Sequence, residues 1–409
     1  MTATTSEPGG GAPPDEGPNP GGAARRGRGL ADPIRDWWDG LSRPAQWGVG
    51  VPVVLILALL PVIHPPLIST TAIDFGAVMA QVAMYALIAI GLNVVVGQTG
   101  LLDLGYVGFY AVGAYTVAIL TSPSSPLFNG GSHGLFSNTG AWAWLACLPL
   151  AMLFTAISGL ILGTPTLRLR GDYLAIVTLG FGEIVRLSAE NLTDITNGSP
   201  GLDQLAFPPI GKSASNNYAG VLSNGNHSST ANFGVWWYWL GMILVIAVLL
   251  VVGNLERSRV GRAWVAIRDD EDAAEIMGVP TFRFKLWAFV IGAGIGGLSG
   301  ALYAGQVQYV DPLNFNVINS MLFLCAVVLG GQGNKLGVIV GAFLIVYLPA
   351  RVQGIQVGGQ SLGDYKYLFF GISLVVLMIF RPQGLFPARQ KLIAFGRQVY
   401  RGLAPGGTR

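Results

Sequence analysis

The stretch LWAFVIGAGIGGLSGALYAGQ, residues 286–306, runs for 21 residues without a charged side chain. At the α-helical rise this is about 31 Å, the thickness of a bilayer's hydrocarbon core. Gly292, Gly294, Gly296, Gly297 and Gly300 punctuate it, with Ser299 and Ala301 between and beside them. In lipid, small residues let helix backbones approach closely, and the two overlapping Gly-x-x-x-Gly pairs 292/296 and 296/300 suit that use. No strand-like run precedes these glycines, so they do not read as a phosphate-binding loop. The segment therefore predicts a membrane-spanning helix packed among others.

Working outward, the same reading recurs. Apolar runs predict spans near 48–64, 73–96, 100–120, 141–163, 171–190, 234–253, 286–306, 317–331, 337–351 and 364–381. The first, eighth and ninth are short for a crossing, and the eighth and ninth are also readable as one re-entrant pair. The expected fold class is all-α, a polytopic membrane protein with ten transmembrane helices, or eight plus a re-entrant pair. Composition agrees: 52% of the 409 residues are hydrophobic, 11% are charged, and the mean hydropathy is +0.54. Soluble domains carry about 25% charged residues, so lipid is the main solvent here. A net charge of +3 gives no case for nucleic-acid binding.

Charge placement orients the spans. Arg257, Arg259, Arg262, Arg268, Arg283 and Lys285 fall within 254–285, and Arg168 and Arg170 between the fourth and fifth spans. The tail from 382 carries Arg389, Lys391, Arg397, Arg401 and Arg409 and no acid. The segments 121–140 and 191–233 hold one basic residue between them, Lys212. Cytoplasmic loops are enriched in Lys and Arg, so both termini and 254–285 are expected inside the cell membrane and 191–233 outside. An even number of spans satisfies this. Residues 1–30, with eight glycines and five prolines, are too polar to bury a core. Trp37, Trp38 and Trp47 suit a headgroup-level anchor, which makes 1–47 a disordered tail with an interfacial segment.

Two features carry mechanism. In the 254–285 loop, Asp269, Asp270, Glu271 and Asp272 open a short helical pattern, where acids complement the positive end of the helix dipole. Ala273, Ala274, Ile276 and Met277 follow, and Gly278 and Pro280 close it. Such a helix held between two spans is either a rigid peg for a partner or an ordinary solvated connector. The second feature is polar residues at membrane depth: Asn93, Gln98, Asp103, Glu183 and Arg186. Glu183 sits eleven residues beyond Asp172, about 16 Å along a helix, and Arg186 lies on the same face three residues on. An isolated charge there is costly, so the two are expected to pair, face the bundle interior and either line a route or form a structural ion pair. Asp103 is equally readable as a helix cap near the inner surface.

Other chemistry is not legible. Gly330-Gly331-Gln332-Gly333-Asn334-Lys335 fails the spacing of a nucleotide-binding loop. Cys147 and Cys325 lie in apolar runs and read as small buried hydrophobes. No catalytic constellation, metal-ligand spacing or cofactor motif is recognisable. A faint internal echo links Val94-Val95-Val96-Gly97-Gln98 with Val327-Val328-Leu329-Gly330-Gly331-Gln332; a structural repeat and chance likeness of glycine-rich segments remain equally open.

Several of these stretches together resemble the LivM-type permease subunit of branched-chain amino acid ABC importers. They are GLNVVVGQTGLLDLGYVGFYAVGAYTVAIL (91–120), TLRLRGDYLAIVTLGFGEIVRL (166–187) with ITNGSPGL (195–202), SRVGRAWVAIRDDEDAAEIMGV (258–279) and AVVLGGQGNKLGVIVGAFLI (326–345). Asp272-Ala273-Ala274 followed by Gly278 stands where importer permeases carry an EAA-like loop, with Asp in place of Glu. The resemblance implies a transmembrane domain over 48–381 that pairs with a second, similar permease. It also implies two cytoplasmic ATPase subunits docked on 254–285, and an external substrate-binding protein. Related permeases serve urea or short amides, so that substrate class is the alternative, and an ion-coupled secondary transporter using Glu183 or Asp103 is the rival mechanism. The tail 1–47 and the insert 207–232 exceed what the resemblance requires.

Overall fold

The computed structural model describes residues 43–63, 74–126, 142–169, 171–203, 205, 229–353, 356–357, 360–361, 365–380 and 384–386. The proposed tail 1–42, most of the insert 207–232, Lys212 and the basic residues from 387 onward lie outside the described residues. So do Arg170 and Trp37 and Trp38 of the interfacial segment.

Helices form where the sequence has long apolar runs, and their starts carry polar caps. In order they are α1 (Arg43–Ile63), α2 (Phe75–Leu92), α3 (Tyr106–Thr121), α4 (Trp142–Thr166), α5 (Asp172–Asn191), the single turn α6 (Thr193–Thr196) and α7 (Ser229–Arg257). Then come α8 (Arg259–Asp269), α9 (Glu271–Ile276), α10 (Thr281–Val307), α11 (Val317–Gly330), α12 (Lys335–Val352) and α13 (Lys366–Phe380). Asp74, Asn316 and Asn334 each accept a hydrogen bond from a first-turn amide, Ala77 N at 2.9 Å, Asn319 N at 3.0 Å and Leu336 N at 3.2 Å. Those amides lack an intrahelical partner, and at membrane depth no bulk water replaces it. The all-α expectation holds: the described strands are four two-residue pieces in two antiparallel pairs. The first pair joins β1 (Leu202–Asp203) to β2 (Tyr309–Val310), antiparallel, with Leu202 opposite Val310.

Each of the ten predicted spans falls on a helix, but among the described residues five helices are long and apolar enough to cross a bilayer by themselves: Phe75–Gln98, Trp144–Thr166, Gly234–Arg257, Thr281–Val307 and Lys335–Val352. Tyr106–Thr121 and Val317–Gly330 are apolar but shorter. The 14 residues of α11 reach about 21 Å. α5 is long enough, yet its charged residues set it apart. The largest differences from the sequence reading are at helix starts: α1 and α7 begin five residues early, at Arg43 and Ser229 rather than 48 and 234, and two others have a clear local cause. The span predicted from 100 begins at Tyr106, because α2 runs on through a π-helical turn, Asn93–Gln98, and the chain then bends at Gly100, whose φ is +74°. The span predicted from 286 begins at Thr281, directly behind Pro280, so the 254–285 loop is helical for most of its length.

The core is centred on two helices: 89% of the α2 span and 72% of the α10 span are buried, against 22% for α4. α10 packs on α2, α3 and α4; α2 also packs on α7 and α12, and α11 pairs with α12. Close approach is what glycine provides. A methyl on Gly113 of α3 would overlap the backbone of Gly297, one on Gly297 would overlap the Thr155 side chain of α4, and one on Gly300 the backbone of Tyr110. Tyr106 Oη fills the adjoining space and donates to Gly292 O at 2.7 Å. Around this contact Tyr110 packs on Phe323 and Phe315, with ring centroids 5.6 and 5.5 Å apart, and Trp144 meets Trp237 edge-on at 5.2 Å. Cys147 and Cys325 are free and buried, as their apolar context implied.

Gly113→Ala is expected to destabilise the chain by about 1–3 kcal/mol through overpacking, lowering its melting temperature in detergent. Gly180→Ala, where nothing lies within 4 Å of the added methyl, is expected to leave it unchanged or raise it slightly. Equal melting of the two variants would contradict the packing just described.

Candidate functional site

The chain's chemistry-bearing residues collect at the end of the bundle formed by α8 and α9. Ser258 ends α7 and caps α8, its Oγ accepting from Val260 N at 3.1 Å. Gly261 then lies against the Glu256 backbone, where a side chain has no room. α8 is amphipathic. Gly261, Ala263, Trp264 and Ile267 are buried, while Arg259 and Arg262 are exposed; Arg268 is exposed overall, but its guanidinium turns back to donate to Gly97 O. The Trp264 indole, fully buried, donates to Phe284 O at 2.8 Å and fixes α8 to the start of α10.

The acids of the predicted peg each act differently. Asp269 is the last residue of α8, and Asp270 is extended (φ −160°, ψ 112°) and breaks the helix. Its Oδ1 accepts from Ala273 N at 2.9 Å, which caps α9. Glu271 turns inward and pairs with Lys285 of α10, a lysine whose side chain is 4% exposed. Asp272 and Ala273 face solvent, and Ala274 is buried beneath the helix. Gly278, at φ +83°, ends α9: its amide bonds Glu275 O at 2.9 Å, and Val279 N bonds Ala274 O at 3.0 Å. This is the Schellman arrangement, which needs the left-handed conformation glycine adopts freely.

Sequence reasoning missed what this cap exposes. Ile276 and Met277 are 85% and 83% exposed, an apolar pair at the tip of an otherwise charged element. In the sequence they look like the buried face of an amphipathic helix, and six residues are too few to show which face is which. Beside them an open cleft of about 370 Å³ is lined by Arg259, Arg262, Ala266, Val279, Pro280 and Phe284, among others.

The polar residues at membrane depth fall into two places. Glu183 and Arg186 do pair, with Glu183 Oε1 accepting from Arg186 Nε at 2.9 Å and Nη2 at 2.6 Å, and Glu190 Oε2 adding a contact to Nη1 at 2.9 Å. They do not face the interior of this chain's bundle, which corrects the expectation. The inward face of α5 is taken by Thr178, Phe181 and Gly182 lying against Gly105 and Gly108, where no charged side chain fits. The ion triad sits instead along the open face, beside Tyr173, Ile176 and Ile184, each more than 60% exposed. Asn93, Gln98 and Asp103 are buried, the first two in the π-helical turn that continues α2 and Asp103 in the segment whose Leu104 amide donates to Thr178 of α5. Asp103 Oδ1 accepts from Gly105 N at 2.9 Å, which folds the turn ahead of α3; Gly105 is the N-cap and no side chain bonds the first-turn amides, so Asp103 does not cap the helix.

Comparison with known proteins decides what this architecture is. The family described as branched-chain amino acid transport system / permease component matches residues 75–378. The chain belongs to this permease family. The LivM permease proteins of the high-affinity branched-chain amino acid transport systems of Salmonella typhimurium LT2 and Escherichia coli K12 are 39% and 38% identical to it. Each alignment covers 82% of this chain and 74% of the relative. The BraD permease protein of Pseudomonas aeruginosa PAO1 is 26% identical over 74% of this chain and 91% of that relative. No solved structure matches the chain. The permease is thus a multi-pass membrane protein whose family transports and does not itself do chemistry. None of the described residues form a group of histidine, cysteine, aspartate and glutamate able to hold a metal.

Removing the Glu271 side chain leaves the buried Lys285 ammonium without this carboxylate partner. Glu271 itself is 30% exposed, so solvent screens part of the pair and the cost falls near the low end of about 1–3 kcal/mol. Glu271→Ala in this permease is expected to lower the melting temperature and to raise amide exchange across 271–276, while Glu275→Ala, at an exposed position of the same helix, changes neither.

Proposed function

We propose that this chain is one permease half of an ATP-driven importer of branched-chain amino acids, and that α8 and α9 are where a separate ATPase subunit delivers force. The observation that carries the reading is the α9 tip. Ile276 and Met277 are offered to solvent by a capped, clipped helix whose base is bonded to α10, the helix at the centre of the bundle. An exposed apolar pair on a rigid mount is a surface awaiting cover. The adjoining cleft, with Arg259 and Arg262 at its wall, suits an acidic side chain from the same partner. Arg257, Arg259, Arg262, Arg268 and Arg283 on this end put it, with both termini, on the cytoplasmic side. The 191–233 segment and the β1–β2 pair then face outward, where an external binding protein delivers substrate.

The open face of α5 supports pairing with a second, similar permease. A Glu183–Arg186–Glu190 triad is costly against lipid tails, and Gly180 on the same outward stripe leaves a notch that another helix can enter. In this reading Glu183 and Arg186 line the route between the two permeases, and Asn93, Gln98 and Asp103 stand at its inner end. An apolar amino acid needs few strong polar contacts on the way, because tight selection rests with the binding protein. The family relationship favours this machine over an ion-coupled carrier and over urea or amide transport.

The test is reconstitution of the permease pair, ATPases and binding protein in liposomes. Ile276→Asp with Met277→Asp is expected to weaken ATPase capture and leucine uptake by about tenfold or more, with membrane insertion intact. Uphill uptake by the purified chain with no other subunit present would sink the proposal. Gly180→Leu is expected to leave the isolated chain's melting temperature unchanged while reducing co-purification of the second permease, measured by affinity pull-down in detergent.

A further inference from the structure

The π-helical turn Asn93–Gln98 is gripped from three sides. It continues α2 without interruption, and all six of its residues are buried. From α8, the Arg268 guanidinium donates to Gly97 O. From the end of α7, Glu256 Oε1 accepts from Gln98 Nε2 at 2.6 Å, and its other oxygen, Oε2, accepts from Lys335 Nζ at 2.5 Å at the head of α12. From the α11–α12 loop, Gly333 N donates to Asn93 Oδ1 at 2.7 Å. No side chain fits on Gly97, because a methyl would strike Asn93 and the Gly333 amide. The two glycine-rich sequence echoes, 94–98 and 327–332, thus converge on one junction, and the loop that carries α9 holds it closed.

The junction is also incompletely satisfied. Asn93 Nδ2 and Gln98 Oε1 are buried and make no hydrogen bond among the described residues. Buried polar atoms are paired in the great majority of cases, so an exception inside a π-turn marks a place built to have a second arrangement. A π-turn holds one residue more than the α-helix it interrupts, and passing that residue onward rotates the chain beyond it by about 100°. Directly beyond lies Gly100 at φ +74°, packed against the Arg268 side chain, a conformation only glycine takes without strain.

We propose that this π-turn is the element on which the coupling loop acts, with Arg268 and Glu256 as positioning residues that hold it in one register. Displacing α8 draws Arg268 off the Gly97 carbonyl, frees the turn to shift register, and swings the 99–105 segment at the inner end of α2 and α3. Force at α9 therefore reaches α2 by a path separate from the Glu271–Lys285 clip to α10. The inference rests on the importer reading above.

The experiment uses the complete reconstituted importer and two readouts. Hydrogen–deuterium exchange of amides 93–105 is measured without nucleotide and after trapping with ATP and vanadate, and uptake is measured per ATP hydrolysed. In the wild type, trapping is expected to accelerate exchange at 93–105. In Arg268→Ala that acceleration is expected to be present already without nucleotide, with uptake per ATP about tenfold lower, and Arg268→Lys to recover part of both. Glu256→Gln, which keeps the side chain's size, carries the same test if Arg268→Ala does not assemble. Exchange at 93–105 that is the same in both nucleotide states and in the variants, with uptake per ATP unchanged, overturns the proposal. Failure of the importer reading shows differently, as wild-type vesicles that take up no substrate with ATP.

Discussion

Everything in this permease depends on how near the backbone of α10 comes to its neighbours. Lipid tails are as apolar as leucine, so burying apolar surface does little to bring membrane helices together; van der Waals contact and hydrogen bonds between them must. Gly297 and Gly300 let α3 and α4 close on α10 to a distance where no methyl fits. Tyr106 then spans the same seam to bond the Gly292 carbonyl, and Ser299 Oγ bonds Met84 O at 3.0 Å across to α2. With α10 locked to three helices at once, a displacement at its first turn is shared by the whole bundle.

The α8–α9 element is anchored to that locked spine. It is bonded to α10 at two points, through the Trp264 indole to Phe284 O and through Glu271 to Lys285. It is bonded to the π-turn of α2 at a third, through Arg268. An element fixed at three places to two well-buried helices transmits displacement rather than absorbing it. Its free surface, by contrast, is apolar at Ile276 and Met277 and cationic at Arg259 and Arg262, the combination a protein partner can cover.

The open face of α5 obeys the opposite logic. Its packing against α3 is made by Gly182, Thr178 and Phe181, which leaves Glu183, Arg186 and Glu190 nowhere to go but outward. They neutralise one another along one helix edge, at i to i+3 and i to i+4, which is what allows three charges to stand in a span. The same face that looks unfinished on one chain is the face that suits a second permease.

The sequence by itself determined the all-α membrane class, the positions of the ten long helices to within about six residues, the ends of α9 and the pairing of Glu183 with Arg186. These are local matters: run length, helical spacing, and the left-handed glycine at 278. It did not reveal that Glu271 points inward while Asp272 points out, that Ile276 and Met277 are bare, that α2 continues into a π-turn, or that the ion triad lies outside the bundle. Those outcomes turn on which neighbour occupies the other side of each helix. Lys285, Phe284 and Gly333 are up to 240 residues away from the groups they hold, a separation across which helical spacing carries no information. Only the tertiary packing, set by where backbones can touch, decided them.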